Sequence, residues 1–268
     1  KTLSPRGGWA CTAAGSLVTL LAVLPHVGVV LGSLTKDWFG TVLPNELTME
    51  HYATALSHEL TLPSLANSLK YASLATMINI VIGIGIAYVV VRSTIWGRQL
   101  LDALAMLPLA VPGLGIACGF VALSREGEVF HFLVRDGNPL WLLVLAYAVR
   151  RIPYIVRSAV SGFQQTSKTL EEAAQDLGAP PLKSTMFVTL PLITANLIAG
   201  GLLAFSFAML EVSDSLLLAQ QQQHFPITKA IYMLFGTLGD GHHLAAAFGT
   251  WALVFLGVTF LGAGLIMG

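Results

Sequence analysis

Residues 67–91 read NSLKYASLATMINIVIGIGIAYVVV, and beyond Lys70 the run carries no charged side chain. Its apolar residues follow one another without the alternation of a half-exposed strand, and about 20 of them in a helix cross the roughly 30 Å of bilayer hydrocarbon. Hydrocarbon offers backbone amides no partner, so a spanning segment is either a helix or part of a closed barrel. An unbroken apolar run excludes the barrel. Composition agrees over the whole chain: of 268 residues 55% are hydrophobic and 10% charged, against about 45–50% and 25% in soluble domains, and the mean hydropathy is +0.74. The expected fold class is an all-α membrane protein.

Working outward, six segments are long and apolar enough to span, near 9–34, 66–91, 99–123, 139–161, 191–219 and 244–267, within a single transmembrane domain over 1–268. The first run is too long for a signal-peptide core and reads as a retained span. Cytoplasmic loops are enriched in Lys and Arg. Placing both termini inside assigns Lys1, Arg6, Arg92, Arg98, Arg150, Arg151, Arg157, Lys168 and Lys183 to the cytoplasm, nine of fourteen. Lys36, Lys70, Arg125, Arg135 and Lys229 then fall outside, accompanied by Glu46, Glu50, Glu59, Glu126, Glu128, Asp136 and Asp240. On this reading Arg150, Arg151 and Arg157 are topology anchors near the inner end of the fourth span. Pro25, Pro108, Pro112 and Pro153 each remove a helix hydrogen bond, which a membrane tolerates where neighbouring helices or water re-satisfy the backbone. Gly115 with Gly119, and Gly200 with Gly201, offer close-approach surfaces for helix packing. Cys11 and Cys118 lie in apolar runs without metal-ligand spacing, and a disulfide between them stays open.

One stretch breaks the apolar pattern: EEAAQDLGAPPLKSTMFVTLPLI, residues 171–193, which runs from a cytoplasmic loop over 162–190 into the fifth span. Thr169 and Glu172 have capping-box spacing, so a short helix is expected from Leu170. Gly178 suits the left-handed end of that helix, and Pro180 and Pro181 prevent its continuation. A second helical piece is expected from about Leu182, with Pro191 in the first turn of the fifth span. Ala173, Ala174 and Leu177 leave a small apolar face that fits a groove on another protein.

Glu172, Ala173, Ala174, three residues, Gly178, nine residues, Val188, one residue, Leu190, Pro191 resembles the EAA signature of the permease subunits of binding-protein-dependent type I ABC importers, with Val188 where isoleucine is usual. The six-span layout, NSLKYASLATMINIVIGIGIAYVVV and MLPLAVPGLGIACGF (106–120) are similar to the branch that handles ferric iron, phosphonates, thiamine and polyamines. The resemblance implies a multi-pass protein of the bacterial inner membrane with cytoplasmic termini. It implies a coupling helix, here Glu171, Glu172, Ala173, Ala174, Leu177 and Gly178, that docks on two copies of a cytoplasmic ABC ATPase. Further implied partners are a second permease subunit or half and a periplasmic or lipid-anchored binding protein. ATP and Mg would sit on the ATPase and no cofactor on this chain. Iron(III), or a phosphonate-type or polyamine-like solute, is the implied cargo.

No GxxxxGK[ST] occurs, so the phosphate cradle of a P-loop ATPase is absent from the chain. GLGIACG at 113–119 fails the dinucleotide spacing and reads as packing. Glu211 and Asp214 are the notable membrane charges, since ionisable groups inside spans are costly and face protein or water. Three residues apart on one helix face, with Ser206, Ser213 and Ser215 around them, they line the translocation path near its outer gate or form an interhelical clamp; both readings stand. No third group completes an enzyme's acid–base set. A secondary transporter would show inverted repeats, and none is visible. His242 and His243 beside Asp240 make a weak metal signal and read as solvated loop. His26 reads as a satisfied buried group at a kink, and QQQQHF (220–225) as a polar tract without chemistry. With zero net charge and no basic tract, nucleic acid is not a partner.

Overall fold

The computed structural model describes residues 4–36, 38, 41–44, 46–134, 137–237 and 239–267, the side chains of Pro5 and 262–267 excepted. Lys1, Arg135 and Asp136, which enter the charge count above, lie outside these residues. Among the described residues the structure is helical, with one isolated antiparallel bridge between Thr35 and Leu47. The backbone forms two compact units, one from 1–61 and 231–255, the other from 62–230 and 256–268.

The first unit opens with α1 (Pro5–Leu34), which starts where Ser4 Oγ accepts from the Gly7 amide and Pro5 needs no donor. A short α2 (Glu50–Ser57) returns along it: Tyr52 Oη lies 2.6 Å from Ser33 Oγ, and the His51 ring bonds the Thr35 carbonyl at 3.0 Å. His26 is exposed and bonds the Ala22 carbonyl one turn back at 3.2 Å, so it is not the buried kink residue expected.

In the second unit, α3 (Thr61–Arg92, of which Thr61 falls in the first unit) and α6 (Leu140–Gln165) run the full height. Between them in sequence stand α4 (Arg98–Met106) and α5 (Gly113–Leu123). After α6 come α7 (Lys168–Asp176), α8 (Pro181–Ser184), a π-helical turn over Thr185–Thr189, α9 (Leu190–Leu192), α10 (Thr194–Met209) and α11 (Ser213–Leu218). The chain ends through α12 (Ile227–Phe235) and α13 (Gly241–Met267), whose residues divide between the two units. His242 and His243 fall in the first turn of α13 rather than in a loop: His243 Nδ1 bonds the Gly32 carbonyl at 2.7 Å and its ring stacks on His51. Cys11 and Cys118 are both free and exposed.

Three helices are long and apolar enough to cross a membrane, Arg6–Leu34, Thr61–Arg92 and Gly241–Leu261. Two further candidates are bent pairs, Arg98–Leu109 with Gly113–Leu123 at 101° and Pro181–Leu192 with Thr194–Met209 at 74°. The expected third and fifth spans are therefore broken. Pro108 and Pro112 cannot donate, and Pro112 itself stands extended ahead of α5 (φ −55°, ψ 138°). Pro191 would strip a carbonyl of its donor one turn back, and the π turn before it widens the register, with the Leu190 amide bonding the Thr185 carbonyl. The predicted fifth helix over 191–219 thus gives way to three pieces, with breaks at Ile193 and at 210–212.

The core of this unit is α6, which buries Tyr147, Ile155, Val156, Ala159 and Phe163 against its neighbours. Lipid is as apolar as leucine, so helices in a membrane associate by close approach of small residues. A Cβ on Gly200 of α10 would stand 2.6 Å from Ser158 Cβ, and one on Gly162 would stand 2.8 Å from Ile193 Cβ. Buried alanines dominate the rest of the seam: Ala72, Ala75, Ala87, Ala105, Ala146, Ala148, Ala204 and Ala208.

Candidate functional site

Helix α7 is short, polar and firmly held at one end of the second unit. Its N-cap is Ser167, whose Oγ accepts from the Thr169 amide at 3.3 Å. The expected Thr169–Glu172 box does not form, because Ser167 supplies the cap oxygen two residues earlier; exposed Glu172 instead pairs with Lys168 at 3.4 Å. Gly178 ends the helix as expected at φ +93°, with the Ala179 amide returning to the Ala174 carbonyl at 3.0 Å. Ala173 and Gly178 are exposed, Ala174 is half-buried, and Leu177 is 91% exposed.

Glu171 is the exception on this helix, 4% exposed and aimed into the bundle. Its Oε1 accepts from Arg92 Nε at 2.9 Å and from Thr189 Oγ1 at 2.7 Å, while its carbonyl accepts from Ser184 Oγ at 3.0 Å. Arg92 also donates to the Thr166 carbonyl at 2.9 Å and lies over the Phe163 ring. One carboxylate thereby ties α7 to the last residue of α3, to the end of α6 and to the π turn leading into α10.

The second constellation lies midway along α6. At roughly 1.5 Å per residue, Arg150 and Arg151 are about 15 Å from the start of a helix about 39 Å long, so they are not anchors at its end. The span bounds of 139–161 already placed them centrally, which was the available signal. Arg151 donates to Glu211 and, at 2.6 Å, to the Phe207 carbonyl. Arg150 Nε stands 3.5 Å from Glu211 and 3.9 Å from Asp214. Glu211 occupies the break after α10 rather than a helix face shared with Asp214, and its Oε1 accepts from the Asp214 amide at 3.2 Å. Two cations and two carboxylates, three of the four essentially buried, offset one another where the two broken segments meet α6.

Ser206 is buried there without a partner for its Oγ, as are both carboxylate oxygens of Asp214, beyond its distant Arg150, and the Tyr147 hydroxyl. Ser213 is half-buried, and Ser215 Oγ bonds the Glu211 carbonyl at 2.9 Å. The Arg150 guanidinium lies against Gly113, at the head of α5: a Cβ there would overlap Nη1 and stand 2.7 Å from Ser213 Oγ. Gly113→Ala is expected to displace Arg150 from its carboxylates and to lower the unfolding midpoint by several degrees, in the range of about 1–3 kcal/mol for overpacking; thermal unfolding in detergent measures it. Among the described residues no group of three or more His, Cys, Asp or Glu could hold a metal ion.

The second unit is thus a helical bundle with broken apolar segments, a buried ion cluster and an anchored polar helix at one end. The chain belongs to the family of binding-protein-dependent transport system inner membrane components, whose model matches residues 79–264. It is a type I ABC importer permease. It is 32% identical over 204 residues to a probable molybdenum ABC transporter permease protein of Haloferax volcanii, covering 75% of this chain and 72% of that one. It is 31% identical over 188 residues to the molybdenum transport system permease protein ModB of Escherichia coli (64% and 79%). It is 27% identical over 189 residues to the ferric transport system permease protein FbpB of Actinobacillus pleuropneumoniae. That last match spans 70% of this chain and only 26% of the longer relative. In fold it is similar, at TM-score 0.71 and 15% identity with 98% of both chains covered, to a bacterial ABC transporter involved in alginate import.

Proposed function

We propose that the chain contributes six spans as one half of a translocation path and is driven through α7 by a separate ABC ATPase carrying ATP and Mg. The observation that carries this is Glu171: its buried bonds tie α7 to α3 and to the π turn before α10, and its partner Arg92 carries the tie on to the end of α6, while Ala173, Leu177 and Gly178 stay exposed for a partner. The sixth span is α6, whose 26 residues suffice to cross and whose central Arg150 and Arg151 are paired with Glu211. Arg92, Lys168 and Lys183 lie on or beside α7, which supports a cytoplasmic placement of that end; the Lys and Arg asymmetry along the sequence supports cytoplasmic termini. A second permease half, identical or homologous, completes the path in a bacterial inner membrane. A binding protein delivers the solute on the opposite side. The cargo is a small solute: iron(III) accords with the ferric relative and an oxyanion with the molybdenum relatives, while a phosphonate or polyamine-like solute rests on the sequence resemblance alone.

Co-purification tests the coupling. Ala173→Asp combined with Leu177→Asp places two carboxylates on the exposed face without touching Glu171. ATPase retained on the affinity-purified permease is expected to fall at least about tenfold, as for a disrupted interface core, with the permease still inserted. Undiminished ATPase together with unchanged uptake would overturn the reading.

A further inference from the structure

At the end of the second unit opposite α7, a cavity of about 430 Å³ opens between the first turns of α3, the start of α6 and the tract 221–224. A single water needs about 10–15 Å³ on the same measure, so a small solute fits with part of its hydration. Lys70, His224, Asn67, Asn138, Gln221 and Gln223 contribute its polar lining, and among the described lining residues there is no carboxylate.

The hydrogen bonds around it occupy the side-chain oxygens of Asn138 and Gln221 and leave their amide donors free. Asn67 Nδ2 donates to the carbonyls of Gln223 (2.9 Å) and Phe225 (3.1 Å), and Tyr71 Oη to that of His224 (3.2 Å). Asn138 Oδ1 is taken by the Leu140 amide at 3.0 Å, and Gln221 Oε1 by Gln223 Nε2 at 2.8 Å. Gln223 Nε2 also donates to His224 Nε2 at 3.2 Å, which leaves the ring proton on Nδ1. What is left over to donate is the Lys70 ammonium, the amide NH2 groups of Asn138 and Gln221, His224 Nδ1 and the positive end of the α6 dipole, against the unfilled oxygens Asn67 Oδ1 and Gln223 Oε1. The tract is also fixed in place, since the Ile227 amide bonds Ser68 Oγ at 2.7 Å. Burial, and then the charge of Lys70, hold the His224 ring below its ordinary pKa. An anion between the two would remove that repulsion.

We infer that this cavity is a receiving site for a tetrahedral oxyanion, with Lys70 as its charge partner and His224, Asn138 and Gln221 as its neutral donors. The inference rests on the permease reading for its place on the delivery side, and it deepens that reading by naming a substrate class. Both a transported inorganic oxyanion and the phosphate of a lipid headgroup have this chemistry. Equilibrium binding of radiolabelled sulfate and molybdate to the full chain, delipidated in a neutral detergent at low ionic strength, tests it. One saturable site is expected, weakened at least about tenfold by Lys70→Gln, less by His224→Gln, and retained in Lys70→Arg. Added phosphatidylglycerol that displaces the label competitively assigns the site to a lipid phosphate; undisturbed binding assigns it to the free ion. The absence of saturable binding, or Lys70→Gln binding equal to wild type, would overturn the inference. ATPase stimulation measured in parallel on the assembled importer reports on the permease reading separately, since Lys70 is far from α7.

Discussion

Glu171→Ala is expected to unhinge α7. The substitution leaves the buried Arg92 guanidinium without a counter-charge, held only by the Thr166 carbonyl and the Phe163 ring, and frees the Thr189 hydroxyl; breaking a buried pair from one side costs about 3–5 kcal/mol. Arg92 and Glu171 side chains are 8% and 6% exposed, so water cannot make up the loss. Since α3, α6 and the entry to α10 meet at this carboxylate, uptake in membrane vesicles is expected to fall much further than ATPase activity does. Glu171→Gln keeps the shape and one acceptor oxygen and should lose less than alanine. If Glu171→Ala transports at the wild-type rate, the anchor has no role in transmission.

The second large effect is expected in the buried cluster. Glu211→Ala removes the carboxylate facing both arginines and should destabilise by about 3–5 kcal/mol, whereas replacing Arg151 and Glu211 together by Met should be neutral or stabilising by about 1–4 kcal/mol. The double variant separates the two roles that Glu211 and Asp214 can play. A clamp keeps working when methionines fill the same volume, with thermal stability and uptake both retained. A path lining does not: stability is retained while uptake collapses. Arg150 is 19% exposed on its side chain and keeps Asp214 at 3.9 Å in either case, so the double variant leaves the second pair standing. We expect stability retained and uptake lost, because the cluster sits at the break after α10 and against the head of α5.

The comparison of sequence with structure turns on a few particular residues. The apolar runs, the end of α7 at Gly178 and the turn at Pro180–Pro181 were legible, as was the exposed face at Ala173 and Leu177. The cap at Ser167 was misplaced by two residues because two hydroxyl residues compete for one role and the choice between them is made by backbone direction. Glu171 was marked beside Glu172, but adjacent residues on a helix point about 100° apart, and nothing local says which of the two turns inward. The tract 220–223 looked like plain polar loop, since its meaning depends on Lys70 and Asn138, which come from two other parts of the chain.

By itself the sequence determined that this is a helical membrane protein, where its apolar segments lie, and that a capped polar helix interrupts them. Those properties follow from hydrophobicity and backbone chemistry summed over a single stretch. Only the tertiary structure decided where the spans break and which charges meet. Arg92 finds Glu171 across 79 residues and Arg151 finds Glu211 across 60. A break or a buried charge is tolerable only if a distant neighbour supplies the missing partner, and which neighbour arrives is settled by how the helices pack.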